Sequence, residues 1–351
     1  MRSEKFVKAG LQFIFVIASN IFSRRLISFW LILLTSNVSR LFAKESAGTS
    51  GAASLLIPLG VRSMGMGDAG VALISGSNGA HYNPASLAHT KNSEFSFSYH
   101  AALVDSSLAY IGYAKPLHFR GLNELGGAAI LGDLLYVDKG KIEINQLNSD
   151  GSLKNSESKS AGYDLVVGFG YAEHFLKGNF GIDWLEEGTH SLGIIVKGIE
   201  SNIVGTYDAQ AVGFDVGYLG QFRNFAVGLA VNNFGSSLKF IDASDPLPVT
   251  FRGGFSYLWD YGNAKILLAS DLLNQEQLWK ARAGVEIKLL KMLALRAGWR
   301  FEPSGFQAGP TFGFGFDQGP LLLDYAFSWY GDLKDTHRVS LGYRFGSFGT
   351  H

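Results

Sequence analysis

The stretch WKARAGVEIK (Trp279–Lys288) and the stretch LALRAGWRFE (Leu293–Glu302) that follows it decide how this chain folds. In the first, Trp279, Ala281, Ala283, Val285 and Ile287 alternate with Lys280, Arg282, Gly284, Glu286 and Lys288. In the second, Leu293, Leu295, Ala297, Trp299 and Phe301 alternate with Ala294, Arg296, Gly298, Arg300 and Glu302. A period of two belongs to a β-strand, whose side chains point to opposite faces in turn. A soluble two-layer β protein would show its polar face to water and fill it with Lys, Glu and Thr. Here that face is mostly Gly, Ala and Ser with a few Arg and Asp, which suits a confined interior. An apolar outside with a small or polar inside is the arrangement of a transmembrane barrel, because only a closed barrel pairs every backbone N–H and C=O in lipid.

The same alternation recurs in Phe225–Asn232, Val249–Tyr257, Leu321–Trp329 and Arg338–Phe345. Upstream it marks Phe95–Tyr99, Leu108–Tyr113, Leu125–Tyr136, Ile142–Leu147, Tyr163–Tyr171, Leu192–Ile199 and Val212–Tyr218, with weaker strands at Ile266–Leu272 and Thr311–Phe316. A single-chain outer-membrane barrel has an even number of strands. The expectation is therefore an all-β antiparallel barrel of about 14 strands, with Ile142–Leu147 an extension beyond the membrane and Asn148–Ser160 a long outer loop. Tyr257, Trp259, Trp299, Trp329 and Tyr330 fit an interfacial girdle. Beyond residue 44 no run approaches the roughly 18 apolar residues of a membrane helix.

Composition agrees. Of 351 residues 47% are hydrophobic and only 17% charged, and 44 are glycine. That balance excludes a disordered tail, a coiled coil and a bulk nucleic-acid binder. With no cysteine, a disulfide scaffold, a thiolate metal site and a catalytic thiol are also excluded. Arg24 and Arg25, the apolar run Leu26–Leu34 and Leu41-Phe42-Ala43 have the order of a secretory signal peptide, so residues 1–43 are read as a leader. Six of the 30 basic groups and one of the 30 acidic groups lie there, which leaves 24 against 29 and a mature charge near −5.

Residues Ser46–Thr90 do not alternate and are rich in small residues, so residues 44–92 are expected to fold inside the barrel formed by 93–351. GTSGAASLL (Gly48–Leu56), LGVRSMGMGDAGVA (Leu59–Ala72), YNPASLA (Tyr82–Ala88), DPLPVTFRGGFSY (Asp245–Tyr257) and LDYAFSWYGDLKDTHRVSLGYRF (Leu323–Phe345) resemble the PorV/PorQ proteins, relatives of the FadL-type outer-membrane channels. The resemblance implies a 14-stranded barrel with an N-terminal hatch in its lumen. It implies either an accessory of type IX protein export, which holds cargo by a C-terminal sorting domain, or a channel for hydrophobic small molecules.

The hatch motif comprises Arg62, Met64, Gly65, Met66, Gly67, Asp68, Asn83, Pro84 and Ala85. Gly65, Gly67 and Gly70 satisfy G-x-G-x-x-G, but Pro58 interrupts the preceding run and no acid follows between Asp68 and Glu94. A dinucleotide fingerprint needs both a strand before it and an acid after it, so close backbone packing is the better reading. Arg62 and Asp68 are candidates for an internal ion pair or for partners of lumen charges, and Asn83-Pro84 reads as a turn. The inward charges are Arg252, Asp271, Arg282, Arg296, Arg300, Asp324, Arg338 and Arg344. They are expected to pair across strands and tie down the hatch, in preference to ringing an anion-selective constriction. The histidines show no metal-ligand spacing and no G-x-S-x-G occurs, so neither metal, cofactor nor catalytic residue is assigned. The expected protein is a non-enzymatic barrel of the bacterial outer membrane. Its partners are lipid and either sorting-domain cargo or, as the alternative, hydrophobic small molecules.

Overall fold

The computed structural model describes residues 50–345 apart from 75, 102–104, 118–121, 123–124, 180–186, 303–307 and 331–334. The chain divides into Met1–Ala43 and Lys44–His351. The expected leader and residues 44–49 lie outside the described residues.

The strands are β1 (Ser93–Ala101), β2 (Ser107–Pro116), β3 (Ala129–Asp138), β4 (Lys141–Leu147), β5 (Leu153–Ser160), β6 (Gly162–Gly178), β7 (Gly188–Ile203), β8 (Tyr207–Gln221) and β9 (Phe225–Gly235). They continue as β10 (Leu238–Phe240), β11 (Ala243–Asp245), β12 (Thr250–Asp260), β13 (Ala264–Gln275), β14 (Leu278–Leu289), β15 (Leu293–Phe301), β16 (Gly309–Gln318), β17 (Leu321–Ser328) and β18 (Thr336–Phe345). Fourteen of them close into an antiparallel barrel, sealed where β1 pairs with β18. The remaining four form two separate ribbons, β4 with β5 and β10 with β11.

Register explains why the alternation is so legible. Gly284 pairs with Gly298, Glu286 with Arg296 and Ile287 with Leu295, so like faces stay in phase from strand to strand. Outward-pointing Phe97, Ile111, Leu134, Ile194, Leu229, Phe251, Trp279, Leu295, Phe312 and Leu341 are exposed around the circumference. A continuous apolar outer wall on a closed barrel meets lipid, and the chain is an integral protein of the bacterial outer membrane.

Two expectations are corrected. Asn148–Ser160 is not simply a loop, because Leu153–Ser160 forms β5 and pairs along β4. Both faces of that ribbon are exposed, so its strand carries no hydrophobic alternation to read. The inner wall is also not uniformly small and polar. On β2, β3, β6 and β7 the inward residues include Leu108, Tyr110, Leu131, Leu135, Val137, Val166, Ile195 and Ile199, all buried.

The connections 222–224, 261–263, 290–292 and 319–320 are short and lie at the rim from which β1 starts. The β4–β5 ribbon and the 236–249 connection lie at the opposite rim, which is the outer one by the rule that external loops are the longer.

Candidate functional site

The candidate site is the lumen, and its centre is filled by the segment before β1. Short helical turns at Ala53–Leu56, Val61–Met64, Gly76–Ala80 and Pro84–His89 carry it along the inner wall. Val61, Met64, Met66, Ala69, Val71, Tyr82, Ala85 and Leu87 are buried. Asn83 caps the last turn: its side-chain oxygen accepts from the Ala85 N–H at 3.0 Å, and Pro84 takes the first helical position. The Asn83 amide donates at 2.8 Å to Val71 O and to Tyr218 O, which fastens two parts of the segment to β8.

The wall receives this backbone on glycine. Gly193 pairs with Gly217, Gly228 with Gly254, and Gly284 with Gly298 across neighbouring strands. A Cβ on Gly193 or Gly217 would strike Asn83-Pro84, one on Gly228 would strike Val71, and one on Gly284 or Gly298 would strike Met66-Gly67. Gly67 itself has φ +71 and sits against the Ala283 and Trp299 backbones, a conformation and a clearance that only glycine provides. Gly65 meets Gly313, whereas Gly70 faces Tyr82 within the segment.

Of the eight charges assigned to the interior, Asp271, Arg282, Arg296, Arg300 and Arg338 are buried, and Arg252, Asp324 and Arg344 contact the groups named below. Arg62 forms a two-pronged pair with Glu286, Nε to Oε2 at 2.8 Å and Nη2 to Oε1 at 2.7 Å. Glu286 Oε2 also accepts from Arg296 Nε at 2.6 Å, and Arg296 reaches Asp324 at 2.5 Å. A second chain runs from Glu94 through Arg344 and Asp317 to Lys288, at 3.5, 2.9 and 2.6 Å. Together these chains line a cavity of about 420 Å3 at the inner rim. Burial works against the Arg62 charge, but Glu286 outweighs it and the guanidinium pKa is raised.

Farther out, Asp68 accepts from the Tyr82 hydroxyl at 2.5 Å and lies 3.7 Å from Arg282. Burial, then Asp68, holds the Tyr82 pKa well above its usual value. Asp271 accepts from the Gly70 and Val71 N–H groups at 2.7 and 2.9 Å. Arg338 donates to Pro58 O at 2.8 Å, Arg300 lies 3.9 Å from the centre of the Tyr330 ring, and Arg252 lies 5.3 Å from that of Tyr82.

Sequence reasoning missed the apolar half. Leu108, Tyr110, Leu135, Val137, Val166, Ile199 and Leu247 form one buried cluster near the outer rim, into which Leu55, Ile57 and Leu59 of the N-terminal segment insert. A second cluster, with Leu87, Ala114, Ala129, Leu131 and Ile195, lies nearer the inner rim. Between them runs one row of cross-strand partners, Gly112, Asp133, Gly168 and Lys197. In this row Asp133 meets His81 at 3.0 Å and Lys197 meets Asp215 at 2.7 Å. Neither these residues nor Glu286 was assigned a site role from sequence. The signal was present, since both faces of β3 are apolar except at Gly132-Asp133.

No protein-family model matches this chain and no curated protein matches it. Among solved structures, the Pseudomonas putida toluene transporter TodX superposes with a TM-score of 0.53 at 12% identity, covering 87% of this chain and 99% of that one. A deltaS2 mutant of TodX, described as a monoaromatic hydrocarbon channel, gives 0.52 at 13% identity over 82% and 99% of the two chains. At this identity the likeness is one of fold alone: a closed outer-membrane β-barrel.

Proposed function

We propose that this protein is a channel for hydrophobic small molecules across the outer membrane, with residues 44–92 acting as a hatch within the barrel of 93–351. The observation that carries the reading is the apolar stretch of inner wall below the outer rim, where Leu135, Val137, Val166 and Ile199 point into the lumen and pack against Leu55 and Ile57 of the N-terminal segment. Water-filled pores keep a polar interior, because an apolar wall neither holds water nor passes ions. An inner wall of large aliphatic side chains, once the N-terminal segment shifts from it, offers an apolar solute an environment close to its own. The fold shared with a toluene transporter supports the same reading. This is the alternative raised by the sequence, and it takes precedence over the export-accessory role, which rests on motif resemblance alone.

The test is binding of radiolabelled toluene to the purified barrel in detergent, with uptake by cells that carry it. Wild type should bind and transport, and Leu135→Asp should abolish both. Uptake no faster than in cells without the protein would overturn the proposal. A pull-down from outer membranes that recovers exported proteins with C-terminal sorting domains, and no lumen-bound small molecule, would restore the export reading.

A further inference from the structure

Beside Lys197, at the end of the polar row that interrupts the apolar half of the lumen, lies one small cavity. It measures about 40 Å3 and is lined by Leu55, Ile57, Leu135 and Val166 together with the Lys197–Asp215 pair, Asn232 and Arg252. Asn232 on β9 pairs with Thr250 on β12, two positions from Arg252, so the two side chains are diagonal neighbours on the inner wall.

Both carry hydrogen-bonding atoms that are buried and without a partner. On Arg252 these are the donors Nε and Nη1; on Asn232, which is 3% exposed, it is the acceptor Oδ1. The Asn232 amide orientation is set by its other end, since Nδ2 donates to His81 O at 3.2 Å and leaves Oδ1 as the free atom. The site therefore offers donors and an acceptor at once. A carboxylate could answer the arginine but would leave Oδ1 facing another acceptor, and a bare hydrocarbon would answer neither. A hydroxyl answers both, because it accepts through its lone pairs and donates through its O–H. The cavity has room for one such group.

The geometry points to a specificity site for hydroxyl-bearing hydrophobic compounds, of the phenol or alkanol class, with the hydroxyl held between Arg252 and Asn232. The apolar body takes the volume now filled by Leu55 and Ile57. This inference rests on the channel reading and deepens it: Arg252 and Asn232 select the end group of a solute whose body the aliphatic wall accepts without fine discrimination.

The experiment compares p-cresol with toluene, and p-toluate as the anionic analogue, in equilibrium binding to the full-length purified barrel. The hydrogen bonds formed by the hydroxyl should favour p-cresol over toluene by about tenfold or more, since one involves a charged donor. In Arg252→Met and in Asn232→Leu that ratio should fall to within about twofold of unity. Two different variants guard against a local folding defect in either, and the wild-type ratio needs no variant. Toluene bound as well as p-cresol, p-toluate bound better than p-cresol, or a ratio unmoved in both variants would each overturn the site while leaving the channel reading intact. Failure of all three compounds to bind would remove the channel reading together with it.

Discussion

Replacing Gly298 by alanine adds one methyl group to the inner wall at the point where the N-terminal segment presses closest. The added Cβ would lie 2.7 Å from Gly67 Cα and closer still to the Met66 and Gly67 backbone. A backbone cannot swing aside as a side-chain tip can, so the Met66-Gly67 turn has to lift. Lifting breaks the bond from the Gly67 N–H to Thr311 Oγ1 at 2.8 Å, a net contribution of about 1 kcal/mol. It also exposes Met66, which is fully buried, at a cost of about 2 kcal/mol. Together these amount to about 3 kcal/mol, or roughly a 150-fold rise in the population of the lifted segment. Gly198 supplies the control: it lies on β7, and a Cβ there meets nothing within 4 Å. Limited proteolysis across a urea series should show residues 50–92 cleaved at a lower urea concentration in Gly298→Ala than in Gly198→Ala. Heat-modifiable migration on gels should report an intact barrel in both. Equal cleavage midpoints for the two variants would refute the claim that paired glycines seat the segment.

Glu286→Gln removes the carboxylate shared by Arg62 and Arg296, leaving Arg62 its bond to the Ile74 carbonyl and Arg296 its contact with Asp324; a loss of about 3 kcal/mol is expected, and a melting temperature within 2 °C of wild type would count against it. Asp324→Asn should lower heat stability by breaking the contact with Arg296 without altering ion selectivity in planar bilayers, and a large selectivity change at unchanged stability would reverse that assignment. Stability should also depend on pH through His89, whose pKa burial, then His174 and Lys91, lowers from 6.5 to about 3. Because the unfolded imidazole binds its proton more readily than the folded one, stability is lost as pH falls from about 6.5 toward 3, by about 3 kcal/mol at pH 4. His89→Gln should flatten that part of a melting-temperature profile, and an unchanged slope would show that other groups set it.

The sequence made the charged half of the wall readable because its two faces differ. On β14 and β15 every inward position but Leu278 is small or polar and every outward one is apolar, so the period of two is clean. On β3 both faces are apolar, Ile130 and Leu134 outside with Leu131 and Leu135 inside, and periodicity alone cannot tell lumen from lipid. That is why the apolar stretch of inner wall is not legible in the sequence while the luminal arginines are. Ion partners were less legible still. Arg62 finds Glu286, 224 positions away, because the Val61–Met64 turn lies against β16 and β17 and the long Arg62 side chain reaches across to β14, and no local spacing encodes that meeting. The glycine pairs lay in plain view as inward positions of the alternation. Their use as a seat became visible only when the register set them side by side and the segment was found lying across them.

The path of the N-terminal segment constrains how this protein can be made. Gly51 bonds to Pro246 and Ser50 to Glu276, both at the outer rim, yet the same segment leads into β1 at the inner one. The chain thus crosses the whole depth of its own pore before its first wall strand begins. A finished ring would have to be threaded by a free end carrying buried ion pairs, whereas an unfinished one can simply be wrapped around the segment already in place. The pairing of β1 with β18 is then the last act of assembly. A barrel that closed without the segment would leave Glu286 without Arg62 and Asp271 without its two backbone donors.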